Sequence, residues 1–312
     1  MPLNEKNEHG TAGFWRRRRF LGTLASAMGA TAIANMPGVS LAARRTPGHQ
    51  QITVQQVMDL ILKSIPAAPF KDTVDTLKSG NGSQPVKGIV TTMFATCDVI
   101  NKAAAIGANF IIAHEPTFYN HADDTSWLEN DDVYQFKYNL LKKHQIAVWR
   151  FHDYIHAHRP DGVMTGVLEA LGWQKYSDAD TPRVVTIPPA SLQSIIDVVK
   201  SKLHIDHVKV IGDRSQQQSR ILLMPGASGG KSQITALLKV KPDLLICGEL
   251  NEWETSEYVR DLRYTGSKTS LIVLGHIVSE EPGLEWLVKW LQPQIPNIQV
   301  THIPSNDAFS WA

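Results

Sequence analysis

"NFIIAHEP", residues 109–116, is the stretch on which the reading of the whole chain turns. Its unbroken apolar run has no polar alternation, so it reads as a buried strand. Pro116, which has no N–H to give a ladder, stops it. Such a strand needs helices to cover it, and its flanks supply them. Upstream, "GIVTTMF" (88–94) reads as a strand and "CDVINKAAAIG" (97–107) as a helix closed by Gly107. Downstream come an Asp-rich stretch, the helix "DVYQFKYNLLKKH" (132–144), the strand "IAVWRF" (146–151) and a helix around "GVMTGVLEALG" (162–172). Repeated β-α-β alternation predicts an α/β fold, a sheet with helices on its faces. Ahead of it, "ITVQQVMDLILKSI" (52–65) has helical spacing and ends at Pro66, and "KSGNGSQP" (78–85) is a turn-rich connector.

The alternation restarts in the last third. "RILLMPGASGG" (220–230) is a strand and glycine turn, followed by a helix (231–240), a strand (243–250), a helix (252–266), a strand (269–280), a helix from Pro282 and a closing strand (297–305). Between the two runs, 183–213 is a compact β-α-β unit, either a small module or an added edge. The chain therefore divides into a first α/β half (43–182), this module (183–213) and a second α/β half (214–312), giving layered sheets.

Residues 1–42 read as an address. "RRRRFLG" (16–22) precedes a small, weakly apolar run, and Ser40-Leu41-Ala42 offers a small-x-small cleavage site. Arg17, Arg18, Phe20 and Leu21 stand where a twin-arginine export signal has its matching residues, so a periplasmic or otherwise exported protein is expected. Gly29 and Pro37 interrupt a run already short for a membrane span, and no other segment is apolar for long enough, so no membrane association is expected after cleavage. Of the 312 residues, those after 42 carry 26 Lys and Arg against 28 Asp and Glu. That balance, with no basic run, argues against a nucleic-acid partner. Cys97 and Cys247 are too few for a disulfide framework and read as small buried residues.

In open α/β sheets ligands gather beyond the carboxyl ends of the strands. There the sequence places His114-Glu115-Pro116, then His152-Asp153 with His156, then His276 with Glu280 four residues on, and Gly248-Glu249. Imidazoles with carboxylates suit a borderline divalent ion such as zinc, manganese, iron or nickel, and two carboxylates among five ligands can offset much of the charge of a metal pair. On a helix His152 and His156 would share a face; on a strand end all of His152, His156 and His158 would.

"IIAHEPTFY", "FHDYIH" and "GHIVSEEPG" resemble the three signature blocks of the dinuclear metal-centre hexameric proteins, the family of the yeast Ngg-interacting factor three. The resemblance runs from about Val86 to Phe309. It implies two divalent transition-metal ions, held by His114, Glu115, His156, His276 and Glu280. Glu115 stands where the family has a histidine and His156 where it has an aspartate, so the ligand inventory is preserved by complementary exchange. His152 matches a family histidine beside the site, an outer ligand or a support for one. The resemblance also implies a ring-shaped homohexamer.

The expected activity is that of a two-metal hydrolase acting on a small molecule, an ester, phosphoester or nucleotide-like substrate, with Glu249 or His152 as proton shuttle. The rival is a non-catalytic metal-binding scaffold in a ring-shaped oligomer. Asp153 would orient an imidazole or form a turn, Glu249 is equally suited to be a supporting acceptor or a cap, and His121 could reach over the rim. His158 reads as solvated loop, "GASGG" as a tight turn rather than a phosphate cradle, and Trp286 with Trp290 as core or interface.

Overall fold

The computed structural model describes residues 51–178 and 180–312; the export signal expected at 1–42 lies outside them. The first element of the described residues is α1 (Val54–Leu62), whose N-terminus is closed by a capping box between Thr53 and Gln56, followed by β1 (Leu77–Ser79) and β2 (Ile89–Thr92). Next come α2 (Cys97–Ala105), β3 (Phe110–Ala113), α3 (Asp132–His144), β4 (Ala147–Arg150), α4 (Asp153–Ala157) and α5 (Gly162–Leu171). Then follow β5 (Val184–Ser191), α6 (Leu192–Leu203), β6 (Lys209–Ile211), β7 (Gln217–Met224), α7 (Gly230–Val240) and β8 (Leu244–Cys247). A π-helical turn, Glu252–Ser256, leads into α8 (Glu257–Tyr264), and β9 (Ser270–Val273), α9 (His276–Leu291) and β10 (Val300–His302) complete the chain.

The described residues form two five-stranded sheets, in the orders β1-β4-β3-β2-β10 and β5-β7-β8-β9-β6. Within each the middle strands are parallel, and β2, β3, β4 and β8 are buried along their whole length, as strands covered on both faces must be. Residues 183–213 supply both antiparallel edges of the second sheet, β5 against β7 and β6 against β9. Pro188 and Pro189 sit in β5, where an edge strand can spare the N–H groups, and the register shifts between Thr186 and Ala190. The last strand, β10, returns to pair with β2 of the first sheet.

Alternation along the strands sorts the core into layers. Phe110, Ile112 and Trp149 of the first sheet, and Ile221, Leu223, Ile246 and Ile272 of the second, join one apolar cluster with α1, α5, α6 and α9. Ile111, Ala113 and Val148 face the other way, onto α2 and α3, and Leu222, Leu245 and Leu271 onto α7 and α8. The central helices α5 and α9 approach through glycines: a Cβ on Gly166 would stand 2.2 Å from the Pro282 carbonyl oxygen, and one on Gly283 would stand 2.7 Å from Val163 Cα.

That contact explains a departure from expectation. The strand expected over 269–280 ends at Val273, and α9 begins at His276 rather than at Pro282, which lies inside it. Proline is the usual signal for a first turn, but here packing against α5 carries the helix through it. Residues 77–79, which overlap the start of the expected connector at 78–85, form the edge strand β1 against β4. Among the described residues no helix is long and apolar enough to cross a membrane. Cys247 is buried and Cys97 half-buried in the first turn of α2, and both are free.

Candidate metal centre

Parallel strands that start in register also end together. Ala113 of β3 is paired with Arg150 of β4, so His114-Glu115 and Phe151-His152 leave the sheet side by side. The chain after β4 turns at once into the short helix α4, which resolves the two readings of 152–158: His152 and His156 lie on one face, with ring centroids 5.1 Å apart. A buried carboxylate starts this helix. Asp75 accepts the His152 and Tyr154 N–H groups, each at 2.8 Å, and its burial, against those hydrogen bonds, raises its pKa to about 6. From the other side α9 contributes His276 and, one turn on, Glu280.

The four imidazoles converge through the same atom. His276 Nε2 lies 3.1 Å from both Glu115 Oε1 and Glu280 Oε2. His114 Nε2 is 3.4 Å from Glu280 Oε2, His156 Nε2 is 3.9 Å from Glu280 Oε1, and His152 Nε2 is 4.0 Å from Glu115 Oε1. Ligand atoms of His114, His152 and His156 lie within 4.8 Å of one another, as do those of His114, Glu115 and Glu280.

Each ring is held from behind by its other nitrogen. His114 Nδ1 faces the Phe151 carbonyl at 3.3 Å, His152 Nδ1 faces Asp153 at 2.9 Å, His156 Nδ1 faces Asp161 at 3.1 Å, and His276 Nδ1 faces Glu249 at 3.2 Å. An acceptor at Nδ1 places the proton there and leaves the Nε2 lone pair for a metal. Asp153 is in turn fixed by the Thr73 hydroxyl and the Val74 N–H, and Asp161 by its second oxygen, which caps α5 at Met164 N.

Two observations test the fit to a metal. Among the described residues the Nε2 of His114 is fully buried without a hydrogen-bond partner, although it points into the cluster. The electrostatics also demand cations: burial opposes charge on His276, yet Glu115 and Glu280 outweigh it and push its pKa to about 10. Burial likewise opposes ionisation of Glu280, but His114, His276 and His156 hold it well below the usual carboxylate range. His152 moves the other way, lowered by burial and by the neighbouring His114. A donor set of four imidazoles and two carboxylates, holding protons where a cation would sit, fits borderline divalent ions.

The structure thus gathers His114, Glu115, His156, His276 and Glu280, with His152 a little farther out at 4.0 Å from Glu115 and Glu249 behind His276. His121 is exposed at the rim, its ring 6.1 Å from that of His152. His158 is apart, and the solvated-loop reading is corrected. It is buried, its ring 5.2 and 5.3 Å from those of Trp286 and Trp290, with Nδ1 2.7 Å from the Pro160 carbonyl. The glycine turn serves the site sterically: Gly226 has φ +69°, and a Cβ there would meet Glu280 Oε1 at 2.3 Å. Its N–H is taken by Ser279 Oγ and that of Gly230 by Glu254, so neither is left to cradle a phosphate. The sequence alone does not single out Asp75, Asp161 or Arg150. Only Asp161, just ahead of a helical run, carried a local signal, and that signal is for a cap.

A profile of the family described as Duf34/NIF3 (NGG1p interacting factor 3) matches residues 52–308. A "GTP cyclohydrolase 1 type 2 homolog" of Clostridium perfringens is 25% identical over 236 residues, covering 72% of this chain and 86% of that one. A Pyrococcus abyssi protein of the same name is 22% identical over 244 residues, covering 75% and 91%. Among solved structures, Staphylococcus aureus protein SA1388 superposes with a TM-score of 0.67 at 20% identity, over 84% of this chain and 100% of that one. At that identity the likeness speaks for the fold, a mixed α/β architecture with two sheets.

Proposed function

The chain belongs to the Duf34/NIF3 family, and we propose that it is a metal-dependent hydrolase holding two divalent transition-metal ions among His114, Glu115, His152, His156, His276 and Glu280. The observation that carries this reading is the shared orientation of the rings: four Nε2 atoms aimed at two carboxylates, with every Nδ1 anchored. Such ions supply Lewis acidity toward the oxygen of an ester, phosphoester or nucleotide-like substrate and lower the pKa of water. The chain's own part is to hold and to move protons. Glu115 and Glu280 offset the charge, and Asp153, Asp161 and Glu249 fix the rings.

Glu249 is half exposed and in contact with His276 Nδ1, so it is placed to pass a proton between the cluster and solvent; His152 is the second candidate for that role. Openness supports catalysis over a sealed structural site: His114 is fully buried, but the side chains of His152, His156 and His276 remain 26%, 27% and 18% exposed. The name of the two relatives, GTP cyclohydrolase 1 type 2 homolog, supports a nucleotide-like substrate as one member of the class.

Elemental analysis of the purified protein tests the reading, with His156→Ala and His276→Ala beside it. About two equivalents of zinc, manganese, iron or nickel are expected in the wild type and a clear loss in each variant. A wild type without stoichiometric metal, or two variants that keep it undiminished, would sink the proposal. A screen of phosphoesters then asks for turnover.

A further inference from the structure

We propose that Arg150 is a positioning residue for Glu115, turning one oxygen of that carboxylate into the metal cluster by holding the other out of it. The inference rests on the reading of the cluster as a metal centre.

Arg150 is the last residue of β4 and is 0% exposed. A guanidinium there needs counter-charge, because an unpaired buried charge is among the costliest features a fold can carry. Two carboxylates face it. Asp123 Oδ2 lies 3.5 Å from Nη1, but it is shared with Lys78 Nζ at 3.3 Å, whose side chain is also buried. Lys78 thus matches Asp123, and Glu115 is left to match Arg150. Its Oε2 stands 3.6 Å from Nη2, an ion pair longer than a hydrogen bond, and among the described residues Nη2 has no hydrogen-bond partner of its own.

The division of Glu115 follows. Oε1 faces His276 at 3.1 Å with His114 and His152 beyond it, and Oε2 faces the guanidinium. The same guanidinium also reaches the rim. It donates to the His121 carbonyl, while Asp123 Oδ1 accepts the Phe118 N–H at 2.7 Å. One buried cation therefore holds both a carboxylate of the cluster and the segment that carries His121.

A mere charge and a positioning fork predict opposite effects. A cation beside a metal site repels the metal, so if charge were its whole effect, removing it would tighten binding and a lysine would act as the arginine does. Lysine keeps the charge but not the planar two-armed reach. Zinc affinity, measured by competition with a chromogenic chelator, is therefore compared in the wild type, Arg150→Lys, Arg150→Met, Glu115→His and the double variant Glu115→His/Arg150→Lys. Thermal melts report which variants fold, and Arg150→Lys decides the matter should Arg150→Met not fold.

Both arginine variants are expected to weaken zinc binding about 10–100-fold, the loss usual for a group that orients a ligand. In the Glu115→His background, Arg150→Lys should cost less than about threefold, because a neutral imidazole needs no counter-charge. Unchanged or tighter binding in Arg150→Lys overturns the inference, as does an equal loss with and without Glu115. A wild type that binds no zinc or other divalent metal overturns the metal reading itself and this inference with it.

Discussion

His114 Nε2 stands 3.4 Å from Glu280 Oε2, buried and with no hydrogen bond among the described residues, while the same oxygen lies 3.1 Å from His276 Nε2. One carboxylate oxygen on α9 thus joins imidazoles from the end of β3 and the start of α9, and its other oxygen faces His156. Glu280→Gln removes the charge and keeps the shape. It should cost more metal affinity than the loss of any one group behind a ring, hence more than about 100-fold. Titration with zinc against a chelator checks this, and a Glu280→Gln variant that binds like the wild type would remove Glu280 from the centre.

The metal-free protein should lose stability as the pH rises from 6.5 to about 8. The sign follows from His276, whose pKa is raised from 6.5 to about 10 in the fold, and from His114, raised also. A raised pKa means that the folded state binds the proton more tightly. The stabilisation is therefore complete below 6.5 and drains away as pH climbs toward 10. Above about 8 the trend is opposed, because burial lowers Lys137 to about 8, so the folded state releases that proton first and gains stability as the pH rises from about 8 toward 10.5. Melting temperatures in chelator between pH 6.5 and 8 should fall, and with metal bound they should not, since the metal displaces those protons. A flat metal-free profile would count against the carboxylates acting on these rings as described.

How much of this was legible in the sequence depends on range. The β-α-β alternation and the placing of His114, Glu115, His156, His276 and Glu280 at strand ends follow from local apolar runs and from the rule that parallel strands end on one rim. The start of α9 does not, because Pro282 is a local signal that packing against Gly166 of α5 overrides. Arg150 ends an apolar run and looks like any strand-end cation. Only the fold brings Asp123 and Glu115 to it. Asp75 and His158 show the same limit: one caps a helix far along the chain, the other is buried by Trp286 and Trp290 from a different helix.

Asp161 serves two masters with separate oxygens, so its two functions should separate. Oδ1 caps α5 through Met164 N at 3.0 Å, and Oδ2 holds His156 Nδ1 at 3.1 Å. Asp161→Ala should lose about 0.5–2 kcal/mol of stability with the cap, and roughly 10–100-fold in metal affinity with the ring's support. Asp161→Asn keeps an oxygen for the cap but loses the charge facing His156, so it should stay near wild-type stability while metal affinity falls. Denaturant melts paired with zinc titrations check both; equal stability losses in the two variants would mean that the cap is not the stabilising half.

Gly226 and Gly229 separate backbone strain from damage to the site. Both have positive φ, +69° and +76°, so a Cβ at either should cost roughly 1–2 kcal/mol from the left-handed backbone alone. Their surroundings differ. An added Cβ at Gly229 meets nothing within 4 Å, whereas at Gly226 it would stand 2.3 Å from Glu280 Oε1 and 2.5 Å from that residue's Cδ. Gly229→Ala should therefore lower the melting temperature and leave zinc affinity within about threefold of wild type, since it touches no ligand. Gly226→Ala should lower both, because the carboxylate has to move away from His114 and His276. Were the two variants to lose zinc affinity equally, the effect would belong to the turn's backbone, and Gly226 would lose its place as the wall against which Glu280 is set.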